Sequence, residues 1–363
     1  MKITDCIFTN NYNGTIFCPG TLTIAGCVFE NNKATTGGAI SCSYKSDISD
    51  CKFTSNIAAN GGAIYSSGSA CSTFNCIFEC NEANNGGAIY GDNKCILNIA
   101  ACTFIKNTAT TNGGAVSSWS GDILNCTFEN NTAEAGGAIS VSSGRIVKST
   151  FSNNSSGNGG AIYGSLNLKG NIFVNNKIIP DNILNDAKNA VSEGYNVYMS
   201  NQNTIFAKPT DYRYTGSQNL LISIGDYGGN TPTIPINTSI LDWESIIRRV
   251  PIEELTTLTD QRGFPLPTTK LACAGSVEIQ EGENFSGILN VEKSNIKVFP
   301  NPTFNIINYF TEENLNVQLY NVYGKLLYSR NCNVGENTID VEGYPAGIYF
   351  LVVGKQSTKI IKE

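Results

Sequence analysis

The 363-residue chain has no histidine and few charges, since Asp, Glu, Lys and Arg together make up 15% of it. Without histidine it lacks the usual general base of Ser, Cys and Thr nucleophiles and the commonest side-chain ligand of zinc and non-haem iron. The net charge of −6 argues against a nucleic-acid partner. No apolar run is long enough to span a membrane. These absences disfavour many classes of enzyme and nucleic-acid-binding protein.

Proline is scarce in the first half of the chain, where Pro19 is the one proline before residue 178. Two interleaved motifs fill this region instead. Phe-x-x-Asn recurs every 21 to 26 residues, beginning at Phe8, Phe29, Phe53, Phe78, Phe104, Phe128, Phe151 and Phe173. Gly-Gly-Ala-(Ile/Val) begins at Gly37, Gly61, Gly86, Gly113, Gly136 and Gly159. Such regular self-similarity indicates a stack of equivalent structural units.

Each unit predicts short strands separated by turns. Cys51 and Phe53 illustrate a Cys-x-Phe alternation that points both side chains to one side of a strand. An Asn two to three residues later suits a turn because its amide bonds locally and tolerates left-handed geometry, and the Gly-Gly pair supplies positive φ for a corner. We therefore predict an all-β chain, with a right-handed parallel β-helix of about eight coils over residues 1–178. A leucine-rich-repeat solenoid is disfavoured because no Leu-x-x-Leu-x-Leu pattern occurs.

The 13 cysteines are not arranged as metal ligands, because there is no Cys-x-x-Cys and no His. We predict neither a metal site nor a cofactor. Six cysteines share one repeat position, which favours a buried ladder of thiols; they are Cys6, Cys27, Cys51, Cys76, Cys102 and Cys126. Cys71 with Cys95 is the better candidate for a disulfide, because parallel stacked side chains poorly satisfy its dihedral angle.

No catalytic residue is predicted. A glycosidase needs two carboxyl groups at a defined separation, yet Asp5 and Asp50 share a repeat position two coils apart. Asp47 and Asp122 share another position three coils apart, and Arg145 is expected to have no acid stacked beside it. A polysaccharide lyase or glycoside hydrolase of the β-helix class remains the alternative, because residues from different faces can converge in a cleft.

Aromatic residues follow the Gly-Gly-Ala-Ile motif where an outward-facing position is expected. They define a candidate ligand-binding stripe of Tyr44, Tyr65, Tyr90, Trp119 and Tyr163. Exposed aromatic side chains are typical anchors for sugars and proteins. Ser117 and Ser140 interrupt the stripe, so ordinary decoration of a strand face is the competing interpretation.

The repeats resemble the GGA(I/V) and FxxN repeats of chlamydial polymorphic outer-membrane proteins over residues 1–178. This resemblance implies an elongated surface passenger involved in adhesion.

Residues 179–278 are predicted to form end coils and a cap, with a short helix within residues 239–249. The segments Asp226–Thr233, Asp260–Gly263 and Gly275–Glu278 resemble the C-terminal part of bacterial surface β-helix proteins called choice-of-anchor domains. An exposed β-helix end would template further strands, which is why a cap is required. Asp260 and Arg262 are expected to form a buried charge pair that closes the last coils.

Residues 279–293 are predicted to be a linker, and the short strands of residues 294–363 predict a small β-sandwich. This module resembles the type A C-terminal sorting domain of the type IX secretion system of Bacteroidota. The positions that carry the resemblance include Pro300, Asn301, Pro302, Gly324, Gly347 and Lys359. The resemblance implies export by the type IX machinery, cleavage near the linker, and release or attachment to lipopolysaccharide.

Such a protein should begin with a signal peptide. Met1-Lys2-Ile3 already lies inside a repeat, so we expect an upstream part. These observations favour a secreted or surface-anchored, non-catalytic protein that binds a host or environmental glycan or protein. A stalk for an upstream active domain is a further possibility.

Overall fold

The computed structural model describes residues 1–181, 183–200, 205–255, 259–267, 271–280, 283, 285, 298–311, 314–321, 326–353 and 356–362. Its Cα atoms divide into two units, Met1–Gly287 and Ile288–Glu363.

The first unit is a parallel β-solenoid, which confirms the predicted fold class. Corresponding strands of successive coils pair in register and form three long sheets. Sheet 1 contains Lys2–Thr4, Ile16–Cys18, Leu22–Ala25, Ile40–Cys42, Ser46–Ser49, Ile64–Ser66, Ala70–Phe74, Ile89–Ala100, Val116–Leu124, Ile139–Val147, Ile162–Lys169, Ala187–Lys188 and Val191–Gly194. Sheet 2 contains Ile7–Thr9, Val28–Glu30, Lys52–Thr54, Ile77–Glu79, Thr103–Ile105, Thr127–Glu129, Thr150–Ser152, Ile172–Val174, Val197–Tyr198 and Tyr212–Arg213. Sheet 3 contains Glu82–Asn85, Thr108–Asn112, Thr132–Ala135, Ser155–Asn158, Lys177–Ile178 and Ile183–Leu184.

The repeat phenylalanines form a continuous stack inside the solenoid. Consecutive rings from Phe8 to Phe173 lie 4.7–4.9 Å apart between centroids and are close to parallel. From Phe29 onwards these rings are fully buried. The ring spacing equals the distance between neighbouring strands, so one Phe in each coil fills the core without a gap.

Two polar ladders run beside the aromatic stack. The backbone N–H of Cys27 donates to Sγ of Cys51 at 3.4 Å, and the same bond joins Cys102 to Cys126. The Asn ladder is stronger, because Asn56 Nδ2 donates both to Oδ1 of Asn81 and to a backbone carbonyl, each at 3.0 Å. The predicted left-handed turn Asn is found two residues after the Phe, as at Asn31, whereas the Asn three residues after the Phe, which forms the ladder, is not left-handed. Left-handed φ belongs to the preceding residue in each coil, and the Asn itself satisfies polar groups between coils.

The Gly-Gly corners have the predicted geometry. Gly37 has a φ of 57°, and the equivalent first glycines of the other five motifs are also left-handed. The second glycine is required for space, because a Cβ added at Gly38 would lie 2.3 Å from the carbonyl oxygen of Gly62 in the next coil. Both glycines therefore allow the coils to stack at strand spacing.

All 13 cysteines are free thiols. The disulfide between Cys71 and Cys95 is therefore not formed. Cys71 lies opposite Leu97 in the neighbouring strand, so Cys95 is two positions out of register with it. Cys42 Sγ instead donates to Oγ of Ser46 at 3.4 Å, and Cys95 Sγ donates to Oγ of Ser66 at 3.3 Å.

The described residues between 220 and 285, which we call the return segment, fold back along the outer side of sheet 2. The predicted helix is present but short, at Trp243–Ile247; it is followed by Arg248–Pro251, which pairs with Leu271–Cys273, and by a 3₁₀ turn at Ile252–Glu254. Gln261 is buried and donates to Oγ1 of Thr103 at 2.7 Å. The sequence predicted closure of the last coils, whereas these contacts reach coils far from the C-terminal end of the solenoid.

Buried charges fasten the return segment to the coils. Lys148 and Glu278 have fully buried side chains and form an ion pair with a 3.1 Å Nζ–Oε2 distance. The predicted pair of Asp260 and Arg262 is also fully buried, at 2.8 Å, and Arg262 additionally contacts Glu283 at 2.7 Å. Removing one partner of such a pair would leave an uncompensated buried charge.

The second unit contains two antiparallel sheets, as the sequence predicted for a small β-sandwich. One sheet has Val298–Phe299, Ile306–Thr311 and Gly335–Asp340. The other has Leu315–Asn321, Leu326–Cys332, Gly347–Val353 and Gln356–Lys362. Buried residues such as Ile307, Leu319 and Leu351 form its core.

Candidate functional site

The outer surface of sheet 1 carries the predicted aromatic stripe. Along one column, Phe17, Ser41, Tyr65, Tyr90, Ser117, Ser140 and Tyr163 are paired in register from coil to coil. The inward neighbour of this column is Ile or Val, which packs in the core. Strand alternation therefore places these side chains outside, as the sequence predicted.

Tyr65 and Tyr90 are the two members of the stripe that contact each other. Their rings are stacked with centroids 5.8 Å apart and an interplanar angle of 12°. The hydroxyl of Tyr65 donates to Oδ2 of Asp92 at 3.2 Å. Partial burial and the Asp92 carboxylate raise the pKa of both phenols. The pair is therefore neutral at physiological pH and presents partly exposed rings beside a carboxylate.

The other three members lie apart from this pair. Tyr44 and Trp119 are 57% and 60% exposed. They follow the column residues of their own coils, Ser41 and Ser117, by three and two positions in the chain. Tyr163 is three coils from Tyr90, about 14 Å along the solenoid at ~4.8 Å for each coil. The structure thus brings two of the five predicted residues into contact, and the others extend the same surface.

Sequence reasoning missed exposed apolar residues on this side of the solenoid. Ile96 is 51% exposed and lies opposite Ser120, the chain neighbour of Trp119. Phe17 begins the tyrosine column and is 68% exposed. The register from Phe17 to Tyr65 could have identified it, but its coil lacks the Gly-Gly motif. We call the surface formed by Tyr65, Tyr90, Asp92, Ile96 and Trp119 the tyrosine face.

The prediction that no acid lies beside Arg145 is wrong. Arg145 pairs in register with Asp122, and its Nε lies 3.0 Å from Oδ2 of that carboxylate. Asp122 and Arg145 each lie six residues before the Phe of their own Phe-x-x-Asn motif, so the motif spacing itself indicates this pairing. This ion pair is partly exposed and occupies both charges, so it does not offer a free base. The described residues contain no cluster of three or more Cys, Asp or Glu able to hold a metal ion.

The sorting-motif residues lie in the second unit. Asn301 Oδ1 accepts the backbone N–H of Ile361 at 2.9 Å, which joins Pro300-Asn301-Pro302 to the C-terminal strand. Gly347 begins the strand Gly347–Val353, and Lys359 pairs with Phe350 on the neighbouring strand. Gly324 lies outside the described residues.

Comparison with known families yields two matches. Residues 297–363 match the secretion system C-terminal sorting domain. Residues 26–43, 50–67, 101–118, 125–142 and 148–165 match the Chlamydia polymorphic membrane protein repeat. The chain is a repeat β-helix with a type IX secretion sorting domain. A search of curated proteins and a search of solved structures found no match.

The sorting domain implies that the type IX secretion machinery is a partner of this repeat β-helix. The two matches together point to secretion or display at the cell surface. Among the described residues, no helix has the length and apolar character needed to cross a membrane. The domain boundaries at residues 178, 278 and 293 and the choice-of-anchor resemblance remain predictions.

Proposed function

We propose that this repeat β-helix is an adhesin-like, non-catalytic binding protein of a Bacteroidota bacterium, and that its tyrosine face contacts a host or environmental glycan or protein. The stacked pair of Tyr65 and Tyr90, hydrogen-bonded to Asp92 and on the same sheet as the exposed Trp119, carries the proposal. Aromatic rings held in place by a rigid sheet can contact a ligand at low cost in conformational entropy.

The chemistry of this face suits ligands with both apolar and hydroxyl groups. Tyrosine and tryptophan offer a flat apolar ring with a polar atom at its edge. Asp92 adds a carboxylate that accepts hydrogen bonds, and Ile96 adds an exposed aliphatic surface. Such mixed aromatic and polar patches are where binding energy concentrates in interfaces.

The distribution of charge supports binding over catalysis. Hydrolysis of a glycosidic bond requires a pair of carboxyl groups flanking it, whereas neighbouring coils of sheet 1 pair Asp122 with Arg145. The only carboxylate of the tyrosine face is that of Asp92. After export, removal of the sorting domain would leave the β-helix free or attached to lipopolysaccharide, and this attachment is part of the proposal.

The test combines binding with product detection. The purified chain is incubated with a panel of insoluble polysaccharides and matrix proteins, and the bound fraction is measured after sedimentation. The supernatants are assayed for new reducing ends and unsaturated sugars. We expect retention on at least one member of the panel without released product. Reproducible release would support a lyase or hydrolase and overturn the proposal, as would absence of retention on every member.

A further inference from the structure

A groove with a volume of about 360 Å³ lies on the outer surface of sheet 2, away from the tyrosine face. Its floor consists of Val28, Lys52 and Ile77, which are register partners in three successive coils. One side is formed by Gly26, Asp50 and Asn75, which have positive φ and occupy equivalent corners of three successive coils. The other boundary is Asn230 of the return segment. The volume is in the range of small-molecule sites.

The groove exists because the return segment covers only part of sheet 2. Thr103 occupies the floor position one coil beyond Ile77, and its hydroxyl donates to the carbonyl of Pro232 at 2.6 Å. Thr231 donates to the carbonyl of Ala101 at 3.2 Å, in the same coil. The return segment therefore covers sheet 2 only as far as this coil, and the exposed Asn230 lies at the edge of the covered part.

Polar groups line the corner side of the groove. Asn75 is buried and its Nδ2 donates to Oδ1 of the exposed Asp50 at 2.5 Å. This bond orients the carboxylate and leaves its second oxygen to face solvent. At the end towards the first coil Gly26 contributes no side chain, and the carboxylate of Asp5 lies against it.

Acidic groups outnumber basic groups in and beside the groove. Lys52 is the cation on the floor, and its ammonium lies 3.7 Å from a carboxylate oxygen of Glu79 in the next coil. Asp50 is the acid on the wall. The groove therefore has no excess positive charge with which to select an acidic ligand, and it combines carboxylate, amide and ammonium groups with the aliphatic side chains of Val28 and Ile77.

We propose that this groove is a second binding site, for a neutral hexopyranose unit of a polysaccharide. Asp50 and Asn75 would receive and donate hydrogen bonds to adjacent ring hydroxyls, and Lys52 would donate to a third. Ile77 and Val28 would contact the C–H face of the ring. This site is separate from the tyrosine face and does not depend on it.

Saturation-transfer NMR with methyl glycosides of glucose, galactose and mannose, and with glucuronate and galacturonate, tests the proposal on the full chain. We expect a signal from at least one neutral glycoside. Asp50→Asn tolerates the left-handed corner and should weaken binding at least about tenfold, the effect of losing a hydrogen bond to a charged group. Ile77→Arg should abolish binding by filling the groove.

Asp47→Asn is the matched control, because Asp47 lies in the same coil but on sheet 1; it should bind like the wild type. Each protein is also measured in a Tyr90→Ala background, which removes any glycoside binding by the tyrosine face; the losses caused by Asp50→Asn and Ile77→Arg should persist there. Absence of signal from all neutral glycosides, preference for a uronate, or unchanged binding by both Asp50→Asn and folded Ile77→Arg would overturn the proposal.

Discussion

The side-chain amide of Asn176 donates to Oδ1 of Asp186 at 3.1 Å, and this bond ends the Asn ladder on a carboxylate. Each earlier ladder Asn donates to the amide oxygen of the Asn in the next coil, so the last one requires a different acceptor. The neighbouring polar ladder ends in the same way, because Asn196 Nδ2 donates to Oδ1 of Asp211 at 3.0 Å. Both ladders thus run towards an acidic terminus.

Asp186 should make stability fall with rising pH. Burial raises its pKa to about 7, against the opposing hydrogen bonds from Asn176 and the N–H of Ser200. The folded state therefore holds a proton that the unfolded state releases near pH 4. The contribution of Asp186 to the unfolding free energy is largest below that pH and falls by up to about 1.4 kcal/mol for each pH unit between about 4 and 7.

Urea unfolding at several pH values checks this prediction. Asp186→Asn cannot ionise and should show a shallower decline between pH 4 and 7 than the wild type. Some decline should persist, because burial also raises the pKa of Asp260. Asp47→Asn, which removes an exposed carboxylate paired with Lys45, controls for the change in net charge. An identical slope in Asp186→Asn and wild type would contradict the assignment.

The interior of the Asn ladder should be intolerant of truncation. Asn107 is fully buried and donates to Oδ1 of Asn131 and to the carbonyl of Phe78. Asn107→Ala would leave several buried groups unpaired, at about 1–3 kcal/mol each. Chemical denaturation should show a loss of several kcal/mol. Asn98→Ala, on the exposed face of sheet 1, should be within about 0.5 kcal/mol of wild type. Equal stabilities of the two variants would refute the ladder's role.

The repeat made the core predictable, because Phe recurs at one position in all eight repeats and Cys at another in six of them, and strand alternation fixes their direction. The partnership of Arg145 with Asp122 could have been predicted, because each residue lies six positions before the Phe of its own Phe-x-x-Asn motif. By contrast, the sequence could not show that Gln261 reaches Thr103, because 158 residues separate them. The stripe was identified from position alone, whereas the stacking of its members depends on three-dimensional contact.

The Lys148–Glu278 pair should couple the return segment to the coils. Lys148→Met leaves the Glu278 carboxylate buried without its cation, which costs about 3–5 kcal/mol. The double variant Lys148→Met with Glu278→Leu removes both charges and should recover part of that loss. Unfolding curves of the three proteins measure the coupling. The assignment fails if Lys148→Met is as stable as the wild type or if the double variant is the least stable.

Thiol labelling should distinguish one cysteine from the rest. Cys80 is exposed, Cys6 is half-buried and the other cysteines are buried. Brief treatment of the native protein with a maleimide should therefore modify Cys80 first, and Cys80→Ser should remove that fast phase. After denaturation without reductant, mass spectrometry should show 13 modified thiols. A smaller number would reveal a disulfide that the structure does not contain.

The dissociation constant for the ligand retained best in the sedimentation panel tests the central claim most directly. Wild type is compared with Tyr65→Ala/Tyr90→Ala and with Phe74→Ala, which removes an exposed aromatic ring outside the tyrosine face. Loss of two stacked anchor residues should weaken binding at least about tenfold, while Phe74→Ala binds like wild type and all three proteins stay folded. Equal affinity of the double variant and the wild type would contradict binding through the tyrosine face.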